Sequence, residues 1–268
     1  MANVLCWIVG ALLISSASAR GSDIRSYATP AEAVQALLAS RPRVVAFGEY
    51  HQQKKTAKIP SALKRFTSEI LPVLVEDGAT DLVAETWITT GSCGEVEQKA
   101  VAQVHETTRR PARTEDELVT MLRRGKNGGL QPHILQIACK DYQAMMNGGD
   151  IDFDRLLRVT RDQLEAQIRA ALERPGSKLV VSYGGALHND REPTTELAPY
   201  SFGPAVAQAV DDHYLEIDLY VPEYIAKDKS IQTQPWYREY RKAYQPGRTM
   251  VVRRAPGSYA LIFPRQRY

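Results

Sequence analysis

Cysteine is scarce in this chain. Cys6, Cys93 and Cys139 are the three among 268 residues, and no two stand at zinc-ribbon spacing. No internal repeat and no low-complexity tract is present, which excludes solenoids and disordered hubs. The apolar run at residues 4–14 is too short for a comfortable membrane span. Two catalytic signatures are also missing. Ser182-Tyr183-Gly184-Gly185 lacks the glycine that precedes the serine of a nucleophile elbow. The Gly-Gly pairs at 128–129, 148–149 and 184–185 lack the lysine and the serine or threonine of a phosphate loop.

What remains has the make-up of a globular α/β protein, with 44% hydrophobic and 24% charged residues and enough length to bury a large core. The first 19 residues stand apart. The apolar run is followed by small residues ending in Ala17-Ser18-Ala19, the A-x-A pattern read by signal peptidase, although no Lys or Arg precedes it. A cleaved signal peptide over 1–19 and an exported, periplasmic or secreted product are expected; an uncleaved anchor or a misassigned start is the alternative. After cleavage no stable membrane span remains. Cys6 departs with such a leader, leaving Cys93 and Cys139 either to pair in an oxidising compartment or to persist as two separate thiols. Residues 20–268 read as one domain, with a core over about 43–221 and a basic extension over about 235–268.

Helix and strand signals alternate along that core. Thr29-Pro30-Ala31-Glu32 is a capping box with proline at the first helical position, so a helix is expected to residue 40. Strands are expected at 43–47, 81–86, 133–138, 178–183 and 215–221. Helices are expected at 60–77 (with Pro72 kinking or ending it), 95–110, 114–125, 154–174 and 204–213. Residues 249–254 and 259–264, flanking Ala255-Pro256-Gly257-Ser258, read as a terminal hairpin. The alternation predicts an α/β fold: a largely parallel sheet with helices on both faces and a C-terminal β-hairpin.

The chemistry collects at the strand ends. Gly48-Glu49-Tyr50-His51 follows the first strand, and Gly185-Ala186-Leu187-His188 follows the fourth, with Asn189 and Asp190 behind it. Glu85 ends the second strand, and Asp141 follows the third. In parallel strands these ends share one side of the sheet, where such folds bind ligands. Glu49 and His51 are two apart, so an extended backbone points both the same way. Two imidazoles with carboxylates suit zinc, manganese or iron(II). With His51, His188, Glu49 and Glu85 as ligands, such a metal keeps an open position for water, and Glu49 or Glu85 left over acts as general base. Tyr50 is a candidate phenolate ligand for haem, with Asp141 and Asn189 as further ligand-binding candidates.

Each residue also has a plain structural role open to it. A histidine after a strand is usually a solvated or satisfied hydrogen-bonding residue. Gly48, Gly184 and Gly185 permit tight strand exits. Glu85 can pair with a neighbouring cation, and Asp141 can cap the next helix. The coincidence across strands is what lifts the set above these readings.

At these residues the chain resembles the superfamily that groups the ChaN-like haem-binding proteins, the Tiki metalloproteases and the erythromycin esterases. ChaN-like sequences open with a strand and GExH, which Gly48-Glu49-Tyr50-His51 matches at every position. Tiki proteins carry two GxxH motifs with an acidic residue between, the order of Gly48–His51, Glu85 and Gly185–His188. The resemblance spans about residues 43–221. It departs at Gln52-Gln53-Lys54-Lys55, where ChaN-like proteins commonly carry acidic residues and histidine, and erythromycin esterases have an extra residue before the first histidine. The resemblance implies an α/β fold with its site at Glu49, His51, Glu85 and His188. Two activities stay open: metal-dependent hydrolysis of a peptide, ester or amide bond in a peptide or small-molecule substrate, and non-catalytic binding of haem or iron.

From residue 238 on, eight Lys or Arg stand against one Glu, beside Trp236, Tyr237, Tyr240 and Tyr244. Such a stretch suits an anionic partner, or else forms one exposed helix and an arginine-protected edge hairpin. An exported protein is expected to have no nucleic acid partner.

Overall fold

The computed structural model describes residues 23–147 and 149–265, so the expected leader lies outside the described residues. The strands are β1 (Ile24–Tyr27), β2 (Val44–Glu49), β3 (Ala79–Thr90), β4 (Gln131–Ala138), β5 (Met146–Asn147), β6 (Asp150–Ile151), β7 (Leu179–Gly185), β8 (Tyr214–Tyr220), β9 (Thr249–Ala255) and β10 (Ser258–Ile262). Eight of them form one sheet in the order β1-β9-β10-β8-β2-β7-β3-β4, and β5 and β6 pair separately. From β10 to β4 every neighbouring pair is parallel; β9 runs antiparallel to β10 and β1 antiparallel to β9. The expected architecture and terminal hairpin are both present.

β2 sits at the centre because its run of Val44, Val45, Ala46 and Phe47 is buried on both faces. Val45 and Phe47 face a core built with the helices Pro30–Leu38, Ala62–Arg65, Leu71–Glu76 and Thr114–Asn127. Val44 and Ala46 face the helices Phe153–Glu173 and Gly203–Ala209. The chain leaves β2 towards β3 on one side and returns to β8 on the other, which makes the carboxyl end of β2 the place for a crevice.

Several boundaries differ from expectation for identifiable reasons. Pro72 does not end its helix. It has no N–H to give to the preceding turn, and the backbone over Phe66–Ile70 widens to π geometry instead. β3 runs to Thr90 rather than 86, past a register shift between Ala84 and Trp87. Glu85 therefore lies in a bulge and not at a strand end. The helix expected to reach 213 stops at Ala209, followed by Asp211 and Asp212 at φ +49° and +64°.

The C-terminal helix Pro235–Ala243 buries Trp236, Tyr237 and Tyr240 against β9 and β10. These aromatics are core and not part of an exposed helix face. Among the described residues no helix is long and apolar enough to cross a membrane.

Beyond β3 and β4 a small cap is assembled from the helices Glu95–Thr108 and Cys139–Met145 and the β5–β6 pair, around Ala100, Ile137, Tyr142, Met145 and Leu156. A disulfide between Cys93 and Cys139 ties its two entry points, resolving the choice between paired and separate thiols in favour of the pair. With a sequence separation of 46 between the two cysteines, the link constrains the unfolded chain by about 2–4 kcal/mol. Cys93→Ser/Cys139→Ser should lower unfolding stability by that order in a denaturant titration. An unchanged midpoint would mean the bridge contributes nothing.

Candidate functional site

Glu49 is the last residue of β2, on the face of Val45 and Phe47, and is 3% exposed. A carboxylate so buried must be fully partnered. Its Oε1 accepts from Arg110 Nη2 at 2.5 Å and bonds His51 Nδ1 at 2.8 Å, while Oε2 accepts from the Tyr183 hydroxyl. Burial alone would raise the Glu49 pKa. The Arg110 guanidinium, with His51 and Tyr183, overcomes this and holds it at about 2. Burial, with the Glu49 charge beside it, pushes the Tyr183 phenol well up, so it stays a donor.

An ionised Glu49 can only accept, so His51 Nδ1 is the donor of this pair, and in the neutral ring Nε2 then carries the lone pair. The imidazole side chain is 38% exposed, so Nε2 can meet a ligand. A β-carbon at Gly185 would lie 2.8 Å from this Nε2 and 3.5 Å from Glu85 Oε2. The two side chains therefore flank Gly185. Glu85 Oε2 also accepts from the Gly185 N–H at 2.5 Å and would sit 2.6 Å from a β-carbon at Gly184. These glycines are not needed for their backbone angles, since neither has positive φ. They are needed because site side chains fill the space a β-carbon would take.

Arg110 carries no sequence signal. It follows the helix Glu95–Thr108, whose end is closed by Arg109 in the left-handed conformation at φ +49°, and that turn sends Arg110 towards Glu49. Glu49 and Glu85 both raise the Arg110 pKa against the cost of burial.

The other expected members lie elsewhere. His188 is buried, and its Nδ1 bonds the Tyr200 carbonyl at 2.8 Å. Among the described residues no three His, Cys, Asp or Glu side chains are grouped to hold a metal ion. The expected four ligands are not gathered into one set: Glu49 Oε1 has the Arg110 guanidinium where a cation would stand, and His188, with its Nδ1 on the Tyr200 carbonyl, is not grouped with Glu49 and His51. The residues do not fit a metal. Tyr50 donates to Asp228 and stacks on Tyr220 with ring centroids 6.1 Å apart, and burial raises its pKa further. The Tyr50 hydroxyl is thus committed to Asp228 and not presented to a ligand. Asp141 accepts from the Ala138 N–H at 2.8 Å, the helix cap that was its plain structural role.

Asn189 belongs to a second buried polar group, on the opposite face of β2. Its Nδ2 donates to the Ala46 carbonyl at 3.3 Å and to Asp218 Oδ1 at 3.0 Å. Arg254, expected on an exposed edge, reaches Asp218 Oδ2 at 2.6 Å and also bonds Glu216. Burial raises both acids, Glu216 to about 8, with Arg254 opposing the rise. A β-carbon at Gly48 would lie 2.3 Å from Asp218 Oδ1, 2.5 Å from Asn189 Oδ1 and 2.7 Å from the Ala186 Cα. Gly48 is thus required for the close approach of this group behind Glu49.

No family model matches the chain, and no curated protein matches it in sequence. Solved structures that resemble it include the type III effector HopBA1, at 11% identity over 91% of this chain and 98% of that one, with a TM-score of 0.47. Another is ChaN of Campylobacter jejuni, a protein with cofacial haem binding, at 9% identity over the same shares, with a TM-score of 0.37. At these scores neither likeness bears on the chemistry of the site.

Two outcomes follow from this geometry. Because the Glu49 carboxyl falls from 4.5 to about 2 on folding, it adds stability above the unfolded value that is lost as pH drops through the folded one. The shift corresponds to roughly 3 kcal/mol. Wild type should exceed Glu49→Gln by about that much at pH 6 and by little near pH 2 in urea titrations; a pH-independent gap would contradict the charge state. Second, zinc or manganese should leave the melting temperature unchanged. A rise lost in His51→Ala/His188→Ala would show that these side chains regroup around the ion.

Proposed function

We propose that this protein is a hydrolase of an ester, amide or peptide bond, with His51 as general base and Glu49 as the group that orients it. The observation that carries the reading is the 2.8 Å contact between His51 Nδ1 and a Glu49 carboxylate held ionised by Arg110 and Tyr183. This fixes one imidazole tautomer and places the basic nitrogen at the carboxyl ends of the parallel strands.

The step balances without an outside reactant. Water loses a proton to His51 Nε2 while its oxygen attacks the carbonyl carbon. Expulsion of the alcohol or amine then breaks the C–O or C–N bond, and the imidazolium returns the proton to the leaving group. Arg110, beside the dyad, offers positive charge where oxyanion charge develops. Glu85 is a positioning residue that pins the Gly185 N–H. Metal-assisted hydrolysis is set aside because Arg110 occupies the cation's place at Glu49. The haem reading ranks second because it loses Tyr50 as a ligand, that hydroxyl being committed to Asp228.

We place the activity outside the cytoplasm. The A-x-A leader supports this, as does the Cys93–Cys139 bridge, a link that oxidising compartments preserve.

His51→Ala and Glu49→Gln should each cost about 10²- to 10⁴-fold in kcat on a chromogenic ester, whereas His188→Ala should not, provided each variant keeps the wild-type circular dichroism. Gly185→Ala, which places a methyl against His51 Nε2, should fall with the first two. Equal turnover in wild type and His51→Ala would defeat the reading.

A further inference from the structure

Two loops meet beside the Glu49–His51 pair, and both are basic. Residues 52–59 run on from His51, and residues 109–113 carry Arg110. The Lys54 N–H donates to the Arg109 carbonyl at 2.9 Å. Arg113 Nη2 donates to the Ile59 carbonyl and to Gln52 Oε1, each at 2.9 Å. Gln52, buried at the root of its loop, donates in turn to the carbonyls of Thr56 and Ile59, both at 2.7 Å. The two loops are thereby held as one rim.

That rim contains Lys54, Lys55, Lys58, Arg109, Arg110 and Arg113 and no Asp or Glu. Arg113 is committed to backbone carbonyls and to Glu117 at 3.0 Å. Lys54, Lys55, Lys58 and Arg109 are exposed, and none forms an ion pair with a described residue. A lone surface lysine is ordinarily just solvated. Four unpaired cations on adjoining loops beside the site sum to a field that attracts anions. Inside the rim, Arg110 spends Nη2 on Glu49, yet its Nε is buried without a hydrogen-bond partner. An unmet buried donor calls for explanation, and a guanidinium with a spare donor matches the planar oxygens of a carboxylate or the oxygens of a phosphate.

We propose that the substrate carries an anionic oxygen group, a carboxylate or a phosphate, drawn in by the basic rim and engaged by Arg110. The proposal rests on the hydrolase reading for the bond that is cut, but not for the binding itself.

Two measurements on the purified protein test it. In the first, kcat/KM is compared for the 4-nitrophenyl esters of acetate, which is neutral, and of succinate, which keeps a free carboxylate. The anionic ester should be favoured about tenfold or more at low ionic strength, with the ratio falling towards one as salt screens the rim. In Lys54→Gln/Lys55→Gln/Lys58→Gln/Arg109→Gln the ratio should collapse at low salt too. In the second, melting temperature is read in inorganic phosphate, in succinate and in chloride at matched ionic strength. Wild type should melt higher in phosphate or succinate, the larger shift identifying the group, and Arg110→Gln should lose the difference.

A ratio near one at every salt concentration together with no anion-specific shift overturns the proposal, even if both esters are cleaved. An anion-specific shift without cleavage of either ester sustains the anion site and overturns the hydrolase reading instead. Retention of both the shift and the preference in the substituted proteins would also overturn it.

Discussion

The arrangement depends on one buried carboxylate. Glu49 ends the central strand of a parallel sheet where there is no solvent to stabilise its charge. Three segments distant in sequence therefore have to supply partners: the loop it enters (His51), the neighbouring strand β7 (Tyr183) and the turn after the cap helix (Arg110). Removing any one leaves a charge or donor buried and unmet, at a cost of several kcal/mol for a charge-bearing pair. The same bonds that make the site necessary to the fold also prepare His51. A histidine whose Nδ1 is committed presents a single basic nitrogen, already oriented before substrate arrives.

The sheet is built to let this happen at close quarters. Gly48 pairs with Gly184 on β7 and with Asp218 on β8, and Glu49 pairs with Gly185. Behind Gly48, the Asn189–Asp218–Arg254 group occupies the space a side chain would need. At Gly184 and Gly185, Glu85 and His51 do the same. Glycine at these positions is a packing requirement from both faces of the sheet. The bulge in β3 serves the same end, because it turns Glu85 out of the ladder and onto the Gly185 N–H.

Much of this is legible in the residues, and the parts that are not have physical reasons. The runs around Val44–Phe47 and Val180–Tyr183 announce buried strands, and two-residue periodicity correctly puts Glu49 and His51 together. Hydrophobic patterning says nothing about where a long side chain ends, however. Arg110 in a polar segment looks like a solvated helix terminus; only the left-handed turn at Arg109 directs it inward. Arg254 sits in a basic stretch that reads as an exposed edge, yet it reaches across β10 to two buried acids on β8. His188 shares its motif shape with His51, but its nearest acceptor is the carbonyl of Tyr200, a loop contact that no spacing rule encodes. Motif symmetry therefore suggested a two-histidine metal centre, where the structure holds one histidine with an arginine-neutralised carboxylate.

The central claim is that Glu49 holds His51 with the proton on Nδ1 and a free lone pair on Nε2. Nitrogen-15 chemical shifts of the His51 ring, recorded near neutral pH in wild type and Glu49→Gln, test it directly. The account requires a protonated Nδ1 and an unprotonated Nε2 in the neutral ring of the wild type, with that preference lost in Glu49→Gln. A wild-type ring carrying its proton on Nε2, or a tautomer indifferent to the substitution, would contradict it.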